Sequence, residues 1–146
     1  MTRRMWLAAL AMIGIFIAAY LTLYHYGYIG TLVCTGDSHG CETVQTSSWS
    51  RMLGLPVATW GLGYYLTVLG LALVGIQERF AESRSMATTL LAVTAWGAVF
   101  SGFLTYLEAG PIGAWCQWCI GSAVIAALLF IVAFLDWRAT RSPTPA

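Results

Sequence analysis

Four cysteines are the residues best able to do chemistry in this chain, and they form two pairs of different spacing. Cys116 and Cys119 make a Cys-x-x-Cys pair within Trp115-Cys-Gln-Trp-Cys119, at the predicted start of an apolar helix. Residues three apart share a helix face, so the two sulfurs can close to a disulfide or open to a dithiol. Thiols near a helix N-terminus also sense its positive end, which stabilises the reactive thiolate. Cys34 and Cys41 lie far upstream, with Gly36 and Gly40 between or beside them to allow tight turns. That pair either staples its own loop or acts as a shuttle, since thiol–disulfide exchange needs a thiolate that can reach a disulfide through a mixed intermediate. The reading that unites both pairs is a relay of four thiols.

Plainer roles stand beside this one. A structural zinc site needs four ligands, which Cys34, His39 and Cys41 would have to complete around the late pair, and no metal is expected. His39 can assist thiol deprotonation, whereas His25 sits at the end of an apolar run as an interfacial residue. Trp115 and Trp118 fit an aromatic membrane belt, or the wall of a pocket for a flat, lipid-soluble ligand. An even cysteine set often staples a small secreted domain, but a membrane bundle has less need of staples.

The frame that must position these thiols is apolar. Hydrophobic residues make up 59% of the chain and charged ones only 9%, against roughly 25% charged in soluble domains. Such a chain cannot cover itself with polar surface, so lipid is its expected solvent. The net charge of +1 gives no case for nucleic acid. Four apolar runs of about 20 residues, the length that crosses a membrane, are expected at residues 5–26, 56–76, 87–107 and 115–135. The first starts like a signal peptide but is too long for one and lacks a clean cleavage site.

Between the first two runs lies the longest polar break, residues 27–53. A short interfacial helix is expected over Ser48–Leu53, with Trp49, Met52 and Leu53 on its apolar side. Pro56 suits the first turn of the second span. Residues 77–86 read as a charged hairpin, and Glu108–Ala114 as a turn broken by Pro111. Glu108 and Asp136, at span ends, are expected to be solvated. The domain is expected to occupy residues 1–136, with 137–146 a disordered polar tail.

Arginine placement sets the expected orientation, because basic residues accumulate in short cytoplasmic segments. Arg3 and Arg4, Arg79 and Arg84, and Arg138 and Arg141 mark three segments, and four spans put all three on one side. The other side holds Arg51. Both termini are then cytoplasmic, and all four cysteines face the outer side, where disulfides persist.

In that order, the loop pair, Cys41-Glu-Thr-Val-Gln-Thr-Ser47-Ser-Trp49, Leu53-Gly-Leu-Pro56 and the late Cys116-Gln-Trp-Cys119 resemble the vitamin K epoxide reductase family, in particular its bacterial homologues, over about residues 5–136. Ser47, six positions after Cys41, falls on the family's characteristic serine. The resemblance implies an all-α membrane protein, a four-helix bundle around a quinone, capped by the outer loop and short helix. It implies that Cys34 takes a mixed disulfide from a partner, Cys41 attacks Cys116, and Cys119 passes electrons to ubiquinone or menaquinone. Ser47, Trp49, Pro56, Val57, Trp115 and Trp118 are the candidate walls of the quinone pocket. Many bacterial members carry a fused thioredoxin-like domain. Here the chain ends soon after its fourth span, so the expected partner is a separate periplasmic thioredoxin-like or DsbA-like protein. Animal members hold vitamin K with an asparagine and a tyrosine, and Val57 and Ala123 stand in those positions. That favours ordinary quinone reduction over epoxide reduction.

Three competing functions remain distinguishable. The DsbB family does the same work, but its Cys-x-x-Cys precedes its spaced pair, the reverse of the order here. A cysteine-based metal carrier would need charged or thiol ligands along a path inside the spans, and none stands at mid-depth. A structural membrane subunit would hold inert disulfides.

Overall fold

The computed structural model describes residues 2–28, 30, 51–113 and 117–141. Four long helices dominate it: α1 Thr2–His25, α2 Val57–Ile76, α3 Arg84–Leu107 and α4 Gln117–Arg141. All four are long and apolar enough to cross a membrane. Large apolar side chains such as Phe16, Val99 and Tyr106 point away from the bundle and stay exposed. Lipid is their natural solvent, and the protein is a multi-pass membrane bundle, as its composition requires.

Each helix buries one narrow seam. In α1 it is Leu7, Ala11, Gly14, Ala18 and Leu21; in α2, Tyr65, Val68, Ala72 and Gly75. In α3 it begins Ala87, Leu90, Thr94 and Gly97, and in α4 it holds Ala126, Leu129, Ala133 and Asp136. The alternating steps of three and four give the 3.5-residue period that keeps one stripe facing its neighbour along a bundle. Small residues recur in these seams, which lets backbones approach where no water-driven force holds helices together. Gly14 is the clearest case: a Cβ there would fall inside the Tyr65 ring. α1 packs extensively on α2 and α4, and α3 on α4, whereas α2 and α3 meet more sparsely.

A polar knot ties one end of the bundle. Arg4 is fully buried and its Nε donates to Asp136 Oδ2 at 3.1 Å. Its Nη1 donates to the Gly75 carbonyl at 2.7 Å and to the Phe80 carbonyl, and its Nη2 to the Ser83 carbonyl at 3.3 Å. One side chain thus joins the start of α1, the end of α2, the connection to α3 and the end of α4. This knot corrects the expectation that Asp136 is solvated; it is only 5% exposed. It also explains why α1 begins three residues before the expected Met5, and why α4 runs past Leu135 into residues expected to be disordered, as far as Arg141. Residues 142–146 lie outside the described ones.

Two other expectations shift. α3 starts at Arg84 rather than Ala87 because Ser83 caps it, its hydroxyl accepting from the Met86 N–H at 3.3 Å. At its far end the chain does not turn at Glu108. It continues as a π-helical turn, Glu108–Ile112, and stops at Gly113, whose φ of 68° is left-handed. Pro111 has no N–H to give the Leu107 carbonyl, so the α-helical ladder fails there and a wider turn replaces it.

Between α1 and α2, β1 (Arg51–Met52) pairs antiparallel with β2 (Leu55–Pro56). Leu53 and Gly54 form the connecting turn, with φ of 55° and 82°. Two positive φ values are what a two-residue type I′ hairpin demands. Arg51–Leu53 are therefore strand and turn, not part of the helix expected over 48–53; residues 48–50 lie outside the described ones. The Trp60 indole N–H donates to the Met52 carbonyl at 3.0 Å and fixes the hairpin on the first turn of α2.

Candidate functional site

Where α2 and α3 pack sparsely, a cavity of about 340 Å³ opens at the end of the bundle opposite the Arg4 knot. α2 contributes Val57, Ala58, Trp60, Gly61, Tyr64 and Tyr65 to its wall. α3 contributes Trp96, Gly97, Phe100 and Leu104, and the hairpin adds Met52 and Leu53. Trp96 is 71% exposed, so the cavity reaches the outer face of the bundle between these two helices. The volume falls in the range of about 300–1,000 Å³ that small-molecule sites occupy. Its walls suit a flat apolar ring.

Cys119 closes the cavity from the first turn of α4. It is half-buried beside Leu21, in a small cluster with Tyr20, Tyr24 and Ala58 at the end of α1. Its place matters for reactivity. A thiol in the first turn of a helix lies beside backbone N–H groups that have no partner within the helix. Trp118, one residue earlier, is turned about 100° away. It does not line the cavity; its ring packs against Tyr20 with centroids 5.1 Å apart.

Of the candidate pocket residues, Val57 lines the cavity, while Pro56 is buried in β2 outside the lining. Ala123, matched above to the family's tyrosine position, also lines it. Ser47, Trp49 and Trp115 lie outside the described residues, as do Cys34, Cys41, Cys116 and His39. His25 closes α1, its ring 6.2 Å from that of Tyr24 in an edge-on contact.

Polar groups in the wall went unread in the sequence. Glu108, expected to be solvated, lines the cavity and is 3% exposed, continuing α3 with helical backbone at the first residue of the π turn. An ionisable residue at a span end shortly before the Cys-x-x-Cys pair was the available signal. Tyr65 donates to the Ser122 carbonyl at 2.8 Å and shares a 2.7 Å hydrogen bond with its hydroxyl, pinning α2 to α4 just beyond Cys119. Tyr64, its neighbour, turns the other way and lies against Gly97 of α3. The two adjacent rings meet edge to face at 5.0 Å.

The arrangement is a thiol at a helix N-terminus facing an apolar, aromatic cavity beside a membrane. It can pass electrons between sulfur and a lipid-soluble ring. A family model described as the vitamin K epoxide reductase family matches residues 5–134, nearly the whole chain.

Proposed function

The chain belongs to the vitamin K epoxide reductase family, and from that premise we propose that it is a thiol:quinone oxidoreductase which makes disulfides in a partner protein. The observation that carries this reading is Cys119, in the first turn of α4, opening on the apolar cavity.

The proposed relay balances. A partner dithiol gives up two electrons and two protons and becomes a disulfide; a quinone takes both and becomes a quinol. A partner thiolate attacks Cys34 of the Cys34–Cys41 bond, which forms the mixed disulfide and frees Cys41; the partner's second thiol then displaces Cys34, leaving the partner oxidised and the loop pair reduced. Cys41 next attacks Cys116 of the Cys116–Cys119 bond and frees Cys119, and Cys34 displaces Cys116 from Cys41, which returns the loop bond and leaves Cys116 and Cys119 as a dithiol. Each of these exchanges swaps one sulfur–sulfur bond for another. Only the last step makes a new one: Cys119 passes the electron pair to the quinone ring as the Cys116–Cys119 bond re-forms. The acceptor must be strong, because DsbA-like partners are themselves oxidising, near about −120 mV.

The arginine-bearing segments that meet at the Arg4 end support a cytoplasmic placement for that end in a bacterial inner membrane. The cavity end, which α1 leaves and α2 enters around the loop pair, then faces the periplasm and a thioredoxin-like or DsbA-like donor. Val57 and Ala123 in the cavity wall offer no hydrogen bond, which favours plain quinone reduction over epoxide reduction.

The test uses purified, fully reduced protein mixed with ubiquinone-1 or menadione without oxygen. Two thiols should be lost for each quinol formed, counted by alkylation and absorbance. Inert staples or a metal carrier would leave the thiol count unchanged by quinone.

A further inference from the structure

Tyr64 and Tyr65 are neighbours with opposite fates. The Tyr65 hydroxyl is satisfied twice over by Ser122. The Tyr64 hydroxyl is buried and has no hydrogen-bond partner among the described residues. Buried polar groups are almost always paired, and inside a membrane no bulk water is present to serve them. A tyrosine that only filled space would do so at less cost as phenylalanine.

The position of Tyr64 shows what could complete it. Its side chain lines the cavity that Cys119 closes. Its ring reaches α3 at a place that only glycine permits, since a Cβ on Gly97 would overlap the phenol ring and its oxygen. The fold thus makes room for this hydroxyl and gives it no protein partner among the described residues. Meanwhile Val57 and Ala123, in the same wall, have no hydrogen-bonding side chain.

We propose that the Tyr64 hydroxyl donates a hydrogen bond to a carbonyl oxygen of the quinone headgroup, and that Gly97 is the small residue that lets it do so. This rests on the quinone reading above and names the polar contact of that same site. Tyr64 orients and selects the ring; it transfers no proton. When the carbonyl becomes a quinol hydroxyl, the phenol can turn from donor to acceptor and keep the contact.

The test compares wild type with Tyr64→Phe, which keeps the ring and removes the oxygen. Binding is read by tryptophan quenching, since Trp60 and Trp96 line the cavity, with menadione and with 2-methylnaphthalene, which has the same fused rings but no carbonyl. Menadione should bind about tenfold more weakly to the variant, the loss expected for one hydrogen bond. The hydrocarbon should bind both proteins alike, and the ligand-free variant should melt no lower than wild type. Equal menadione affinity in the two proteins would overturn the proposal. So would a parallel loss for the hydrocarbon, which marks a packing role, or a lower melting temperature without ligand, which marks a structural one. If wild type binds neither menadione nor ubiquinone-1, the quinone reading itself fails and takes this contact with it.

Discussion

Breaking the Arg4–Asp136 pair gives the sharpest test of how the bundle is held. Both groups are out of solvent, with side-chain exposures of 0% and 7%. Removing one partner of a buried pair leaves an uncompensated charge and costs about 3–5 kcal/mol. The two single variants should not be equal. In Asp136→Leu the guanidinium keeps the carbonyls of Gly75, Phe80 and Ser83, so the loss should sit near about 3 kcal/mol. In Arg4→Met a buried carboxylate and three carbonyls all lose their donor, so the loss should approach about 5 kcal/mol. The double variant buries no charge and should cost less than the sum, with a coupling of about 2 kcal/mol or more. Equilibrium unfolding in detergent micelles, run on all four proteins, measures the cycle. Costs below about 1 kcal/mol for Asp136→Leu, or simple additivity, would refute the claim that this end of the bundle is dry and knotted through Arg4.

Other outcomes follow from the same contacts. Gly14→Ala drives a Cβ into the Tyr65 ring and should cost about 1–3 kcal/mol in the same unfolding assay. Tyr65→Phe loses the bonds to Ser122 and should cost about 1 kcal/mol. The loop cysteines should fail differently if they form a shuttle. Cys41→Ala, given oxidised partner, should hold a mixed disulfide between Cys34 and the partner because no loop thiol is left to displace it, whereas Cys34→Ala should trap a Cys41–Cys116 bond without partner. Non-reducing gels and mass spectrometry read both, and identical, trap-free behaviour would favour a static staple.

The four spans were legible because apolar runs of this length have one solvent they can use, and their ends shifted only where a local cap or a distant partner intervened. Arg4 and Asp136 show why some ends were not. They are 132 positions apart, and nothing in the spacing of either signals the other. The hairpin at Arg51–Pro56 was missed because its turn carries Leu53 at a positive φ, where Asn or Asp is the usual signal. Trp49, Met52 and Leu53 recur at helical spacing and point to the wrong element. In the site, Cys119 was named from its Cys-x-x-Cys spacing and Val57 from the family resemblance, and both line the cavity. Tyr64 and Glu108 could not be read in either way. Which of two adjacent tyrosines meets Ser122 depends on how α2 is rotated against α4, and the place of Glu108 in the wall depends on how the end of α3 packs.

The central claim is that electrons leave the protein for quinone through the sulfur that faces the cavity. Its most direct measurement is quinone reduction by Cys119→Ala, supplied with a small dithiol in place of the partner and followed by quinol absorbance. The relay predicts no quinol above the uncatalysed rate, while Cys34→Ala retains part of the wild-type rate because the dithiol attacks further along the chain of bonds. Wild-type turnover by Cys119→Ala would contradict the account.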